Sequence, residues 1–190
     1  MAGVKQLRLC GLGGQGLVLG GMILGKAAAY DGKYVAGSDS YGVRVRGGYA
    51  LSDLVVSGGP IVYPHVLEPD ILVPMAQEAY EEHVGGVGRG GIVIYDEQLV
   101  RARPIDGLSQ VGIPATSRAI RDLKQKQAAN VLILGAVAAI TGIVSRDSLE
   151  RAVKDTVNER FLDANLKGVD LGYRIGEEKW RLQAEHKDLS

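Results

Sequence analysis

The residues with the clearest chemical potential lie in the first quarter of the chain. Gly11, Gly13 and Gly16 satisfy G-x-G-x-x-G in the run Gly11-Leu-Gly-Gly-Gln-Gly16. Glycines at that spacing permit a tight turn and let backbone N–H groups and a helix N-terminus face an anion. Asp39 follows 23 residues after Gly16, near where the ribose-binding acid of a dinucleotide fold falls. The same glycines would serve equally well to pack a helix closely on a strand, and the motif alone does not choose. Next comes Ser38-Asp-Ser-Tyr-Gly-Val-Arg44-Val-Arg46-Gly-Gly48. Arginines at i and i+2 of an extended stretch point the same way. Beside a glycine loop they would grip phosphate or carboxylate in bidentate fashion. An ion pair with Asp39 or Asp53 is the plainer fate for either arginine. Gly47 and Gly48 leave room for another backbone or a ligand to approach.

Positioning these residues requires a strand, a loop, a helix and a second strand. Lys5–Cys10 has the pattern of a short strand, Leu17–Tyr30 that of an apolar helix closed by Asp31-Gly32, and Lys33–Gly37 that of the second strand. A unit of this length is a βαβ crossover, which would bring Arg44 and Arg46 beside the loop. Further strands are expected at Tyr49–Val56, Ile71–Val73, Gly91–Asp96 and Val111–Ile113, with a short helix at Gln77–His83. The turn Ser57-Gly-Gly-Pro60 would let Ile61–Tyr63 return as a hairpin, making the sheet mixed. From about Lys124 the pattern turns helical. Asn130–Ile143 is apolar nearly all round, which predicts a helix buried on several sides. Ser145 is placed to cap a following helix carrying Leu149, Ala152, Val153, Thr156 and Val157 on one face. The expected fold is α/β: a three-layer α/β/α sandwich with a Rossmann-like start, a mostly parallel or mixed sheet and a helical C-terminal third. Residues 1–190 form a single domain on this reading, with the charged stretch 173–190 as a tail for assembly.

Composition narrows the function classes. The 190 residues carry 22 basic and 22 acidic side chains, so no overall basic footprint marks a nucleic-acid binder. A single cysteine, Cys10, excludes an internal disulfide and a self-contained iron–sulfur cluster, both of which need several thiols. His65, His83 and His186 show no metal-ligand spacing. Leu9–Gly25 and Val131–Val144 are apolar, but seven glycines interrupt the first and the second has 14 residues, short of the ~20 that span a bilayer. Neither membrane nor nucleic acid is an expected partner, and a soluble, cytoplasmic location is expected.

Taken together, four segments resemble the gamma subunits of 2-oxoacid:ferredoxin oxidoreductases. They are Gly11-Leu-Gly-Gly-Gln-Gly16, Ser40-Tyr-Gly42 with Arg46-Gly-Gly48, Pro64-His-Val-Leu-Glu-Pro-Asp70 and Ala129-Asn-Val-Leu-Ile-Leu-Gly135. The resemblance runs from about Leu7 to about Gly172 and is equivalent to domain III of fused pyruvate:ferredoxin oxidoreductases. The Tyr-Gly form before Arg-Gly-Gly is closer to the 2-oxoglutarate and branched-chain (ketoisovalerate) branch. Arg44 departs from the family, which often has an acid there, so Arg46 carries more weight.

The resemblance implies a subunit of an enzyme that converts a 2-oxoacid, CoA and oxidised ferredoxin to acyl-CoA, CO2 and reduced ferredoxin. This chain would be inactive alone and have no catalytic residue or metal ligand of its own. Thiamine diphosphate, magnesium and 4Fe–4S clusters would sit on alpha, beta and ferredoxin-like delta partners, with ferredoxin as acceptor. The chain itself would supply subunit interface and coenzyme A binding through Gly11, Gly13, Gly14, Gln15, Gly16, Tyr41, Arg46, Gly47 and Gly48. Two other readings stay open: a free-standing NAD(P)- or FAD-binding oxidoreductase using Asp39, and a purely structural subunit that binds no small molecule.

Overall fold

The computed structural model describes the backbone of residues 3–41 and 48–187. Six strands, β1 (Lys5–Leu12), β2 (Tyr34–Tyr41), β3 (Tyr49–Ser57), β4 (Ile71–Pro74), β5 (Ile92–Asp96) and β6 (Ser109–Ile113), form one sheet in the order β2-β3-β1-β4-β5-β6. Strands β1, β4, β5 and β6 run parallel, while β3 lies antiparallel to both β1 and β2. The sheet is therefore mixed, but not through the hairpin that the turn at Ser57–Pro60 suggested. Residues 61–63 form no strand, and Val62 is 96% exposed. Instead β3 inserts between the two strands of the βαβ unit, with Lys5 opposite Val56 and Leu12 opposite Tyr49. A strand alternating apolar and polar can pair on both edges, so local pattern does not reveal an insertion.

The alternation along each strand sorts side chains between two cores. Leu7 and Leu9 of β1, Leu54 and Val56 of β3 and Ile71 and Val73 of β4 face one way. They belong to one apolar core with residues of α1 (Leu17–Tyr30), α3 (Ala115–Leu123), α4 (Ala129–Thr141), α5 (Arg146–Lys154) and α6 (Glu159–Lys187). Cys10, Leu72 and Val93 face the other way, under α2 (Gln77–His83). The result is a three-layer α/β/α sandwich whose second helical layer is a single short helix.

Helix α4 is apolar on all sides because it lies between the sheet and α6. Val131, Leu132, Ile133, Leu134 and Val137 are at most 1% exposed, and each contributes about 1.5–3 kcal/mol by burial. Ser145 caps α5 as expected, accepting a hydrogen bond from Ser148 N at 3.2 Å. That helix ends at Lys154, so Thr156 and Val157 lie beyond it. The residues after Gly172 are no separate tail. They continue α6 without a break to Lys187, and Ile175 and Gly176 are buried.

On the α2 side of the sheet, Arg8 and Asp53 are cross-strand neighbours joined by two hydrogen bonds of 2.8 and 2.7 Å. Nearby, the His83 ring lies 5.6 Å from that of Tyr49, and its Nε2 is buried with no hydrogen-bond partner among the described residues. Burial, reinforced by the positive charge of Arg8, holds the His83 pKa below its ordinary value. As pH falls through about 6.5 the unfolded chain takes up this proton before the folded one, so stability is lost on acidification. His83→Gln is expected to lose less stability than the parent between about pH 7 and pH 5. Chemical denaturation at several pH values checks this, and parallel curves for the two proteins would refute it.

Candidate functional site

At the carboxyl end of β1 the chain leaves through Gly13–Gly16 into α1, toward β2. At the neighbouring end of β4 it leaves toward α2 and β5. Adjacent parallel strands whose connections depart in opposite directions open a crevice between them, the place where open α/β sheets hold ligands. A cleft of about 610 Å³ occupies it, bounded by the glycine loop, Met75, Leu99, Thr116, Lys126 and Asn130. That volume suits a small molecule or part of a larger one.

Each loop residue has an identifiable task. Gly11 belongs to β1, paired with Ala50 and buried, so it packs rather than lines the cleft. The Gly13 N–H donates to Gly48 O at 2.7 Å, tying the loop to the residue before β3. Gln15 is a brace: its Oε1 accepts from Leu12 N at 2.7 Å and its Nε2 donates to Met75 O at 2.6 Å. Asn130 Nδ2 donates to Gly16 O at 3.2 Å, fixing the loop to the start of α4. Gly14 and Gly16 have φ of 91° and 76°, the left-handed region open to glycine. Among the described residues no carbonyl takes the Gly14 or Gly16 N–H, and no side chain caps α1 at Gly16. What remains toward the cleft is therefore a set of backbone donors and a positive helix end.

The other wall is held by a buried carboxylate. Asp96, fully buried at the end of β5, accepts from Thr116 N at 2.9 Å and from Thr116 Oγ1 at 2.5 Å. This fixes the start of α3 beside the cleft. Lys126, on the short turn between α3 and α4, is exposed, and its side-chain ammonium has no ion-pair or hydrogen-bond partner among the described residues. It places one uncompensated positive charge at the mouth.

Of the sequence-predicted site residues, the fold brings Gly13, Gly14, Gln15, Gly16 and Gly48 together. Tyr41 ends β2, opposite Ala50 of β3. Arg46 and Gly47, with Arg44, lie outside the described residues. Asp39 is exposed on β2, and β3 stands between its strand and β1, so it is not beside the glycine loop as a ribose-binding acid would be. Thr116 and Lys126 also line the cleft, and neither carries a local sequence signal of a site. Asn130 does carry one, as a lone amide in an apolar helix.

Residues 6–175 match the family model described as pyruvate ferredoxin/flavodoxin oxidoreductase. The chain is 41% identical over 177 residues to the 2-oxoglutarate synthase subunit KorC of Methanocaldococcus jannaschii, covering 92% of this chain and 95% of that one. It superposes with a TM-score of 0.85, at 34% identity, on the gamma subunit of a keto/oxoacid ferredoxin oxidoreductase from Geobacter sulfurreducens PCA, covering 94% and 99% of the two chains. The same fold, at a TM-score of 0.82 and 23% identity, forms 31% of a longer chain in a 2-oxoglutarate:ferredoxin oxidoreductase from Magnetococcus marinus with 2-oxoglutarate, coenzyme A and succinyl-CoA bound, covering 92% of this chain. Among the described residues no helix is long and apolar enough to cross a membrane. By the family match and the shared fold, the chain belongs to the pyruvate ferredoxin/flavodoxin oxidoreductase family, as a gamma subunit of a multisubunit 2-oxoacid:ferredoxin oxidoreductase.

Proposed function

We propose that this subunit holds coenzyme A for its complex in the cleft between the glycine loop and Lys126. The observation that carries the reading is the pairing of unspent backbone donors at Gly14, Gly16 and the α1 terminus with the unpaired ammonium of Lys126 across one cleft. Coenzyme A bears several phosphate charges, and a chain of zero net charge needs such local features to hold it. Arg46 would add a further charge from the segment preceding Gly48. Gln15 and Asn130 keep the loop in shape.

Thiamine diphosphate and iron–sulfur clusters, which complexes of this family use, supply the decarboxylation and electron transfer, and the lone buried cysteine here gives a cluster no ligand set. They belong to the alpha, beta and ferredoxin-like delta subunits, with ferredoxin as external acceptor. On this reading the present chain orients the acyl acceptor, so that a partner's acyl group passes to a thiol already in place.

One observation favours the purely structural alternative. The Gly13 N–H, an expected phosphate donor, is spent on Gly48 O. Lys126→Ala in the assembled complex separates the two. Removal of an exposed phosphate contact is expected to raise KM for CoA about five- to tenfold while leaving kcat and the melting temperature unchanged. A KM equal to that of the parent would assign the cleft to packing or assembly.

A further inference from the structure

At the other end of the sheet, the amino ends of β1, β4, β5 and β6 meet the carboxyl end of α4 and the flank of α6 around a second cleft of about 560 Å³. The activity proposed above makes no use of it. Its floor is apolar, with Ile71, Ile140 and Ile143 buried, and one wall is the indole of Trp180, 36% exposed. Lys5, Lys33 and Arg89 reach its rim. Lys5 is paired with Asp70 at 3.1 Å. Lys33 donates to Ile143 O at 2.6 Å and stands 4.0 Å from Asp31. It thereby neutralises the negative end of α4, which would otherwise repel an anion. Arg89 is exposed and has no partner among the described residues. Among the described residues, three cations against two carboxylates leave one positive charge in excess, on the side chain best shaped for a carboxylate.

We propose that this cleft binds a small organic monocarboxylate with a flat apolar body. The carboxylate faces Arg89, and the body lies on the isoleucine floor beside Trp180. The volume falls within the usual range of small-molecule sites, which pair an apolar lining with a few polar anchors. A nucleotide or polyphosphate would bring two or more negative charges to a rim with a single one to spare.

Trp180 is the only tryptophan in the sequence, so its fluorescence reads this cleft directly. The experiment titrates the full chain with phenylacetate and with its uncharged isostere phenylacetamide. Phenylacetate is expected to give a saturable change, with the amide about tenfold weaker. Arg89→Ala should bring the two within about twofold of each other, whereas Lys126→Ala, at the far end of the sheet, should leave the phenylacetate titration unaltered. The proposal is overturned by an absent or unsaturable response, by equal binding of acid and amide, or by an acid preference that survives Arg89→Ala. If Trp180 instead responds only to the other subunits of the complex, the cleft is a protein interface and the proposal fails.

Discussion

Gly172→Ala is expected to destabilise the chain by more than about 3 kcal/mol, a large share of the roughly 5–15 kcal/mol that holds a domain together. Helices α4 and α6 touch backbone to backbone. A Cβ on Gly172 would stand 1.8 Å from Leu132 O, and one on Gly176 would stand 2.8 Å from Ala136 Cα. From the other side, a Cβ on Gly135 would meet Val169 O at 2.4 Å. None of these neighbours is a flexible side chain that can swing away. The helices would have to part by about 1 Å or more, and the side chains packed along the seam would lose close contact together. Gly168 provides the contrast. It lies one turn earlier on the same face, but its nearest neighbours, Ala128 O and Leu123 Cδ1, are at ordinary contact distance, 3.5 Å. Gly168→Ala should leave stability unchanged or raise it by up to about 1 kcal/mol through helix propensity. Urea denaturation of the full chain measures both variants side by side. A Gly172→Ala protein within about 1 kcal/mol of the parent would mean that the helices do not meet as described.

The pattern behind this seam is present in the sequence. Gly168, Gly172 and Gly176 recur every four residues, the spacing of one helix face, but the charges around them give the segment the composition of a polar tail. Local period signals the type of an element, as it did for α1, α4 and the strands β1, β3 and β5. It says little about which element it meets, and α6 is polar on one face because it covers α4 with the other. The same limit explains β3. Nothing in Tyr49–Ser57 announces that it will slip between β1 and β2, because pairing partners are chosen by the whole sheet. The glycine loop was legible because its chemistry is local. Lys126 and Thr116 were not, since they reach the cleft only when α3 and α4 fold against the ends of β1 and β5.

Gly16→Ala is expected to raise KM for CoA in the assembled complex by about thirtyfold, the kinetic equivalent of about 2 kcal/mol. Two costs add. Gly16 sits at φ 76° and ψ 26°, where a side chain costs about 1 kcal/mol. Its Cβ would also stand 2.3 Å from Asn130 Nδ2, the group that holds the loop through Gly16 O. Asn130 has little freedom to withdraw: it is 8% exposed and its Oδ1 accepts from Val131 N at 2.7 Å. The loop would therefore shift, and its N–H groups and the first turn of α1 would lose their aim. Gly14→Ala isolates the first cost, because at φ 91° a Cβ there meets no atom within 4 Å. Asn130→Ala isolates the second. Alone it removes one hydrogen bond to the loop, worth about 1 kcal/mol. In the double variant it clears space for the new methyl group. The combined loss should then fall short of the sum of the single losses by about 1 kcal/mol. Strictly additive losses would show that backbone strain alone acts at Gly16. A lowered melting temperature with KM for CoA unmoved would show that the methyl group disturbs the packing against Asn130 and would remove coenzyme A from this cleft.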